Sequence, residues 1–152
     1  MPRQTAGPPV PLVGRALRDI RTGRFERSLA GLAAVGAVVT TGEIFTSHDS
    51  ASFGNKMMWW PIAIMPTLAP AGIAAVVSRR AAKTVLPAAS IVVIANGIQG
   101  TVLHLRGISR KPGGFANLRY NLEMGPPAFA PALASLVGGM GLLASLLRRE
   151  GS

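Results

Sequence analysis

The chain has no cysteine, and its 152 residues include only six acidic side chains, two histidines and eight aromatics. Without cysteine there can be no disulfide, thiolate metal site, iron–sulfur cluster or covalent haem attachment through a Cys-x-x-Cys-His sequence. The shortage of carboxylates rules out paired-carboxylate chemistry away from Glu43 and its neighbours. No Ser-His-Asp spacing, metal-ligand spacing or phosphate loop is present, so independent catalytic activity is not expected. Charge of both signs is also scarce, at 14% of residues where a soluble domain carries about 25%.

What the chain has instead is apolar length. Hydrophobic residues make up 49% of it and the mean hydropathy is +0.37. Four apolar runs cover residues 29–47, 57–78, 84–104 and 127–147. Each is close to the ~20 residues that a helix rising 1.5 Å per residue needs to cross a ~30 Å hydrocarbon core. The expected fold is all-α: a polytopic membrane protein with a four-transmembrane-helix bundle over residues 28–152, behind a basic tail of residues 1–27. The 18 Gly and 12 Pro fit this reading, because membrane helices tolerate both where neighbouring helices satisfy the freed backbone groups.

The net charge of +10 raises nucleic acid as a partner, but its distribution points to a bilayer. Six arginines (3, 15, 18, 21, 24 and 27) precede the first run, Arg79, Arg80 and Lys83 separate the second from the third, and Arg148 and Arg149 follow the fourth. These eleven share one side of a four-span topology; Lys56, Arg106, Arg110, Lys111 and Arg119, five in all, fall on the other. The bias places both termini in the cytoplasm. No recognised motif or aromatic–basic interleaving accompanies the arginines, so nucleic acid is not expected. Pro2 to Pro11 is rich in Pro and Gly and suits a segment without fixed structure. Residues 14–27 differ: Leu12 just before them, then Ala16, Ile20 and Phe25, lie among arginines at roughly helical spacing, which fits either a short amphipathic helix on the membrane surface or a solvated basic tail. A cleavable signal ending at Ser50, Ala51 and Ser52 is disfavoured by the length of the basic region and by Glu43, His48 and Asp49 before the site.

Aligning His48 with His104 exposes a weak internal repeat. Glu43 then matches Gln99, Phe53-Gly54-Asn55 matches Phe115-Ala116-Asn117, the Pro61 to Pro66 spacing recurs from Pro126 to Pro131, and each half ends in paired arginines. Two tandem helical hairpins of the same orientation would be related by an axis along the membrane normal. They would carry both histidines to one outer boundary. Asn96, Gly100 and His104 recur every four residues and share a helix face with Gln99 beside it, while Thr40 and His48 form the corresponding stripe on helix one. Bis-histidine ligation of a haem b is one reading, with Gly100 leaving room for the macrocycle and Arg106 or Arg119 near a propionate. A quinone or small-ligand pocket is another, and interfacial histidines bonded to loop carbonyls a third.

Glu43, an acid near the end of a spanning helix, costs ~2.5 kcal/mol or more unless paired, protonated or hydrated. Arg106, Arg119, Gln99 and His104 are its candidate partners, in a proton relay, a ligand gate or a structural bond between helices one and three. Trp59 and Trp60, flanked by Met57, Met58 and Pro61, read as an aromatic belt where helix two begins, with a ligand-stacking role as the alternative. Gly125-Pro126-Pro127 reads as the opening of helix four, where Ser135, Gly138, Gly139 and Gly141 offer a small-residue surface for close approach within the bundle or to a partner.

The stretch His104-Leu-Arg-Gly-Ile-Ser-Arg-Lys-Pro-Gly-Gly114, followed by Asn121-Leu-Glu-Met-Gly-Pro-Pro-Ala-Phe-Ala-Pro131, resembles a signature of small, uncharacterised four-helix membrane proteins of bacteria, and Phe53 to Trp60 is similar to their first outer loop. The resemblance implies a bacterial cytoplasmic (inner) membrane and carries no activity or catalytic residue with it. In size and layout the chain is also similar to DoxX-like membrane subunits of quinone-linked oxidoreductases, without a shared motif. The favoured function is an anchor or accessory subunit of a membrane redox complex, docking a membrane or extracytoplasmic oxidoreductase subunit through basic outer loops beside Glu43, His48, Gln99, His104, Arg106 and Arg119. A small transporter or ligand-binding membrane protein and a structural or assembly factor are the alternatives.

Overall fold

Small residues decide how this chain packs. The structure, a computed structural model, describes residues 12–22, 24–123, 130–147 and 149. Its helices in chain order are α1 (Leu12–Thr22), α2 (Arg24–Ser50), α3 (Trp59–Ile64), α4 (Leu68–Val77), α5 (Arg79–Lys83), α6 (Val85–Ser109), α7 (Leu118–Glu123) and α8 (Ala130–Leu146), and no strand occurs among the described residues. Three helical stretches, Arg24–Ser50, Lys56–Val77 and Arg79–Ser109, are long and apolar enough to cross a membrane, and Ala130–Leu146 is a shorter apolar helix. The second apolar run is therefore not one smooth helix. Short 3₁₀ segments at Lys56–Met58 and Met65–Thr67 break it, the latter at Pro66, whose ring removes a backbone donor. The third helix runs past its expected end at 104 to Ser109, carrying His104 and Arg106 on regular helix. Pro2 to Pro11 and the Gly125-Pro126-Pro127 opening lie outside the described residues.

The four long limbs form a ring in which α6 packs chiefly on α8, α8 on α2, α2 on α4, and α4 back on α6, so that α2 and α6 stand diagonally. The interior is largely alanine: Ala30, Ala33, Ala37, Ala75, Ala82 and Ala144 are fully buried. Glycine brings the backbones closer still. A Cβ on Gly72 would lie 2.7 Å from the Ala30 carbonyl oxygen, and one on Gly97 would lie 2.7 Å from the Pro131 carbonyl oxygen and would strike Ser135 Oγ. Gly138 and Gly141 face Ser90 in the same manner, whereas nothing lies within 4 Å of a Cβ on Gly139. Helix four thus spends Ser135, Gly138 and Gly141 on α6, inside the bundle. Leu29, Leu68, Leu86 and Val93 are buried in this interior, while many other large aliphatics point outward, with Leu32, Val35, Val38, Ile73, Ile98 and Leu136 all exposed.

At the end of the bundle away from His48, one pair of opposite charges is buried among exposed arginines. Glu26 is fully buried and its carboxylate lies 3.6 Å from the Arg149 guanidinium, itself almost fully buried. Arg149 also donates to the Ala75 and Val76 carbonyls at 2.7 and 2.8 Å, satisfying the last turn of α4. Lys83 Nζ donates to the Ser145 and Leu147 carbonyls at 2.6 and 2.8 Å and so caps α8. The basic stops of the two halves are thereby cross-connected: a cation from each holds the other half's helix end. α1 precedes this clamp with Leu12, Val13 and Leu17 exposed. Phe25, grouped by spacing with that amphipathic segment, belongs to α2 and packs on the core.

Candidate functional site

The diagonal placement of α2 and α6 leaves a gap at one end of the ring, a cavity of about 490 Å³ whose largely apolar wall is set with a few polar side chains. α2 contributes one continuous stripe, with Thr40, Glu43, Ile44, Ser47 and His48 spaced by three and four residues. α6 contributes Asn96, Gln99, Gly100, Leu103, His104 and Arg106 on its facing surface. Met57, Met58 and Trp60 close one side, and Pro131 and Ala134 of α8 close another. Six of the seven polar positions singled out from sequence therefore border one space: Glu43, His48, Asn96, Gln99, His104 and Arg106. Arg119 does not; it sits on α7, outside the lining.

Thr40 and Asn96 are buried at the floor, His48 and His104 are half-buried, and Glu43, Gln99, Arg106 and Arg110 are exposed. The two imidazoles are near enough to sense one another's charge, and the His48 ring is within hydrogen-bonding reach of the Met58 backbone. His48 Nδ1 is buried with no hydrogen-bond partner among the described residues. Glu43, expected to seek a partner across to helix three, is not part of the ion pair found among the described residues, which joins Glu26 to Arg149.

A tight turn sets the position of His48. After α2 ends, the Phe53 N–H returns to the His48 carbonyl at 3.1 Å, with Ser52 and Phe53 both at positive φ, 54° and 46°. Such backbone costs of order 1–3 kcal/mol per residue. The Phe53 ring offsets this by stacking on Trp59 at 4.3 Å, against Phe45 at 5.7 Å. Trp59 is thus committed to the turn, and Trp60 is the indole that lines the cavity. Asn55 then accepts the Met57 N–H at 2.9 Å and starts the return limb.

No protein-family model, curated protein or solved structure matches the chain. Its chemistry must be read from the cavity alone. Among the described residues no cluster of three His, Asp or Glu side chains could hold a metal ion. Gly100, expected to leave room for a macrocycle, has a nearer reason to be glycine: a Cβ there would lie 2.9 Å from Pro131 Cβ, so it admits α8. What the arrangement can do is hold an apolar body between Ile44, Leu103, Trp60 and Pro131 while imidazole, amide and guanidinium groups bind a polar end. Sequence reasoning counted Arg110 only as a topological charge. It lines the mouth one helical turn beyond Arg106, and that i, i+4 spacing on an apolar helix was the available signal.

Proposed function

We propose that the protein is a multi-pass inner-membrane protein, with four spans and both termini in the cytoplasm, that binds a small lipophilic ligand bearing a polar end. The observation that carries the ligand reading is the cavity of about 490 Å³ that gathers Glu43, His48, Asn96, Gln99, His104 and Arg106. Its size falls within the roughly 300–1,000 Å³ of small-molecule pockets. Membrane placement is supported by an alanine and glycine interior beneath an aliphatic exterior, the distribution expected where lipid solvates the outer surface and small residues bring helices together. The sequence resemblance supports a bacterial inner membrane, and eleven cations against five support the orientation.

A redox form of this reading is favoured by one observation, the two imidazoles bordering the same space. A quinone or haem b held by His48 and His104 would make the protein an anchor or accessory subunit of a membrane redox complex. Purification of the tagged chain in mild detergent, with visible spectroscopy and mass spectrometry of extracted small molecules and proteins, separates these outcomes. A stoichiometric small molecule lost in His48→Ala and in Gln99→Leu is the expected result. A Soret band that vanishes in either histidine variant would place the protein in the redox class. A colourless preparation free of any bound molecule, even after reconstitution in native lipid, would overturn the ligand reading.

A further inference from the structure

A second hollow, of about 630 Å³ and more open than the first, lies on the outside of the bundle between α3 and α6. Ile64, Ile91, Val92 and Ala95 line its outer part; its inner wall consists of Met57, Trp60, Asn96 and Gln99, which also line the central cavity. Four side chains thus stand between the interior space and the outer face. Ile91, Val92 and Trp60 are about half exposed there, at 56%, 49% and 52%, on a surface that would face acyl chains in a bilayer. The wall is built to yield. Methionine and glutamine side chains are unbranched and rich in rotamers, and α3 is a six-residue helix with 3₁₀ segments at both ends.

The polar end of the cavity carries a definite charge. Arg106 on α6 and Arg110, the residue that ends this helix, lie four positions apart; among the described residues neither makes an ion pair and Glu43 is the one carboxylate in the lining. Two guanidiniums against one carboxylate give these three groups a net charge of plus one. Arg106 lies about 15 Å along the α6 axis from Asn96 at the portal. A molecule reaching from the arginines to the portal therefore needs an anionic head and an extended apolar tail.

Resting on the ligand-binding reading above, the geometry points to a specific class and route: the ligand is a membrane amphiphile with an anionic headgroup, such as an anionic phospholipid, and it enters sideways from the bilayer between α3 and α6. Its headgroup meets Arg106 and Arg110 at the mouth, and its tail passes Trp60 and Gln99 into the lateral hollow. Phosphate or carboxylate oxygens suit paired guanidiniums, and a tail left in the hollow stays among apolar side chains.

Trp60 is a built-in reporter. In the full-length Trp59→Phe variant, which keeps an aromatic ring against Phe53, it is the sole tryptophan. The variant is reconstituted in phosphatidylcholine vesicles containing a minor fraction of either brominated phosphatidylglycerol or brominated phosphatidylcholine, and quenching of Trp60 is titrated. Half-maximal quenching is expected at about fivefold lower mole fraction of the anionic lipid, the scale of one net cationic charge near a lipid surface. Adding Arg106→Gln and Arg110→Gln should abolish that preference and leave the phosphatidylcholine titration unchanged. Ala95→Phe, which fills only the lateral hollow, should also abolish it, whereas a ligand arriving from water would be unaffected. Glycerol phosphate, which has the head without the tail, should not compete. Equal quenching by both lipids, or a preference that survives loss of both arginines, overturns the proposal. If the mild-detergent preparation still yields a different bound molecule, the ligand reading stands without this class; if it yields none, both fall.

Discussion

The buried Glu26–Arg149 pair makes the strongest quantitative demand on this fold. At 3.6 Å, and with the effective dielectric of about 20 that suits such sites, the Coulomb attraction is about 4–5 kcal/mol. Neither Glu26 oxygen has a hydrogen-bond partner among the described residues, so the guanidinium is what compensates a fully buried carboxylate. Arg149→Met removes that compensation and also strips donors from the Ala75 and Val76 carbonyls, so a loss of about 3–5 kcal/mol is expected. Glu26→Gln leaves Arg149 on its two carbonyls and should cost less, about 1–3 kcal/mol. The double variant, with no isolated buried carboxylate, should be more stable than the sum of the single losses implies by about 2 kcal/mol. The assay is reversible unfolding in mixed detergent micelles, followed by circular dichroism across a double-mutant cycle. Additivity within about 0.5 kcal/mol would mean the two groups are energetically independent, and the assignment of this pair as the clamp would be wrong.

Two further predictions use the same preparations. Gly97→Ala should destabilise the α6–α8 contact by about 1–3 kcal/mol, because the new methyl meets backbone at 2.7 Å, whereas Gly139→Ala, with open space around it, should be neutral or gain up to about 1 kcal/mol in helix propensity; equal melting of the two variants would contradict the packing described. Because the chain has no cysteine, Ser50→Cys and Thr84→Cys give clean single labels at opposite ends of the bundle. An impermeant maleimide should label the first in intact cells and the second only after the membrane is opened, and the reverse pattern would invert the proposed topology.

The histidine-bearing end shows how far pattern can lead and where it stops. Helical periodicity placed Asn96, Gly100 and His104 on one face of α6 and Thr40 with His48 on one face of α2, and these stripes border a single cavity. The same periodicity set Glu43 about 140° from His48 on an ideal helix, yet both line the space because it wraps around α2. Arg119 is near in sequence to this group but sits on α7, since the geometry of a long loop is not encoded in a period.

Apolar length and helical periodicity are local properties, so the helical character of the chain and the positions of its long apolar helices are legible in its residues. The charge asymmetry, which is a count, is legible there too. Tertiary structure alone decided which charges are bound. In the sequence Arg149 and Lys83 count only as topological charges; the ring of helices brings Glu26 to Arg149, Arg149 to the end of α4 and Lys83 to the end of α8. It likewise decided that Gly100 serves Pro131, and that Met57, Trp60, Asn96 and Gln99 form a wall shared by two hollows. Contacts of this kind join residues as many as 123 positions apart, as in the Glu26–Arg149 pair, and depend on the spacing and rotation of whole helices, which no short window of sequence specifies.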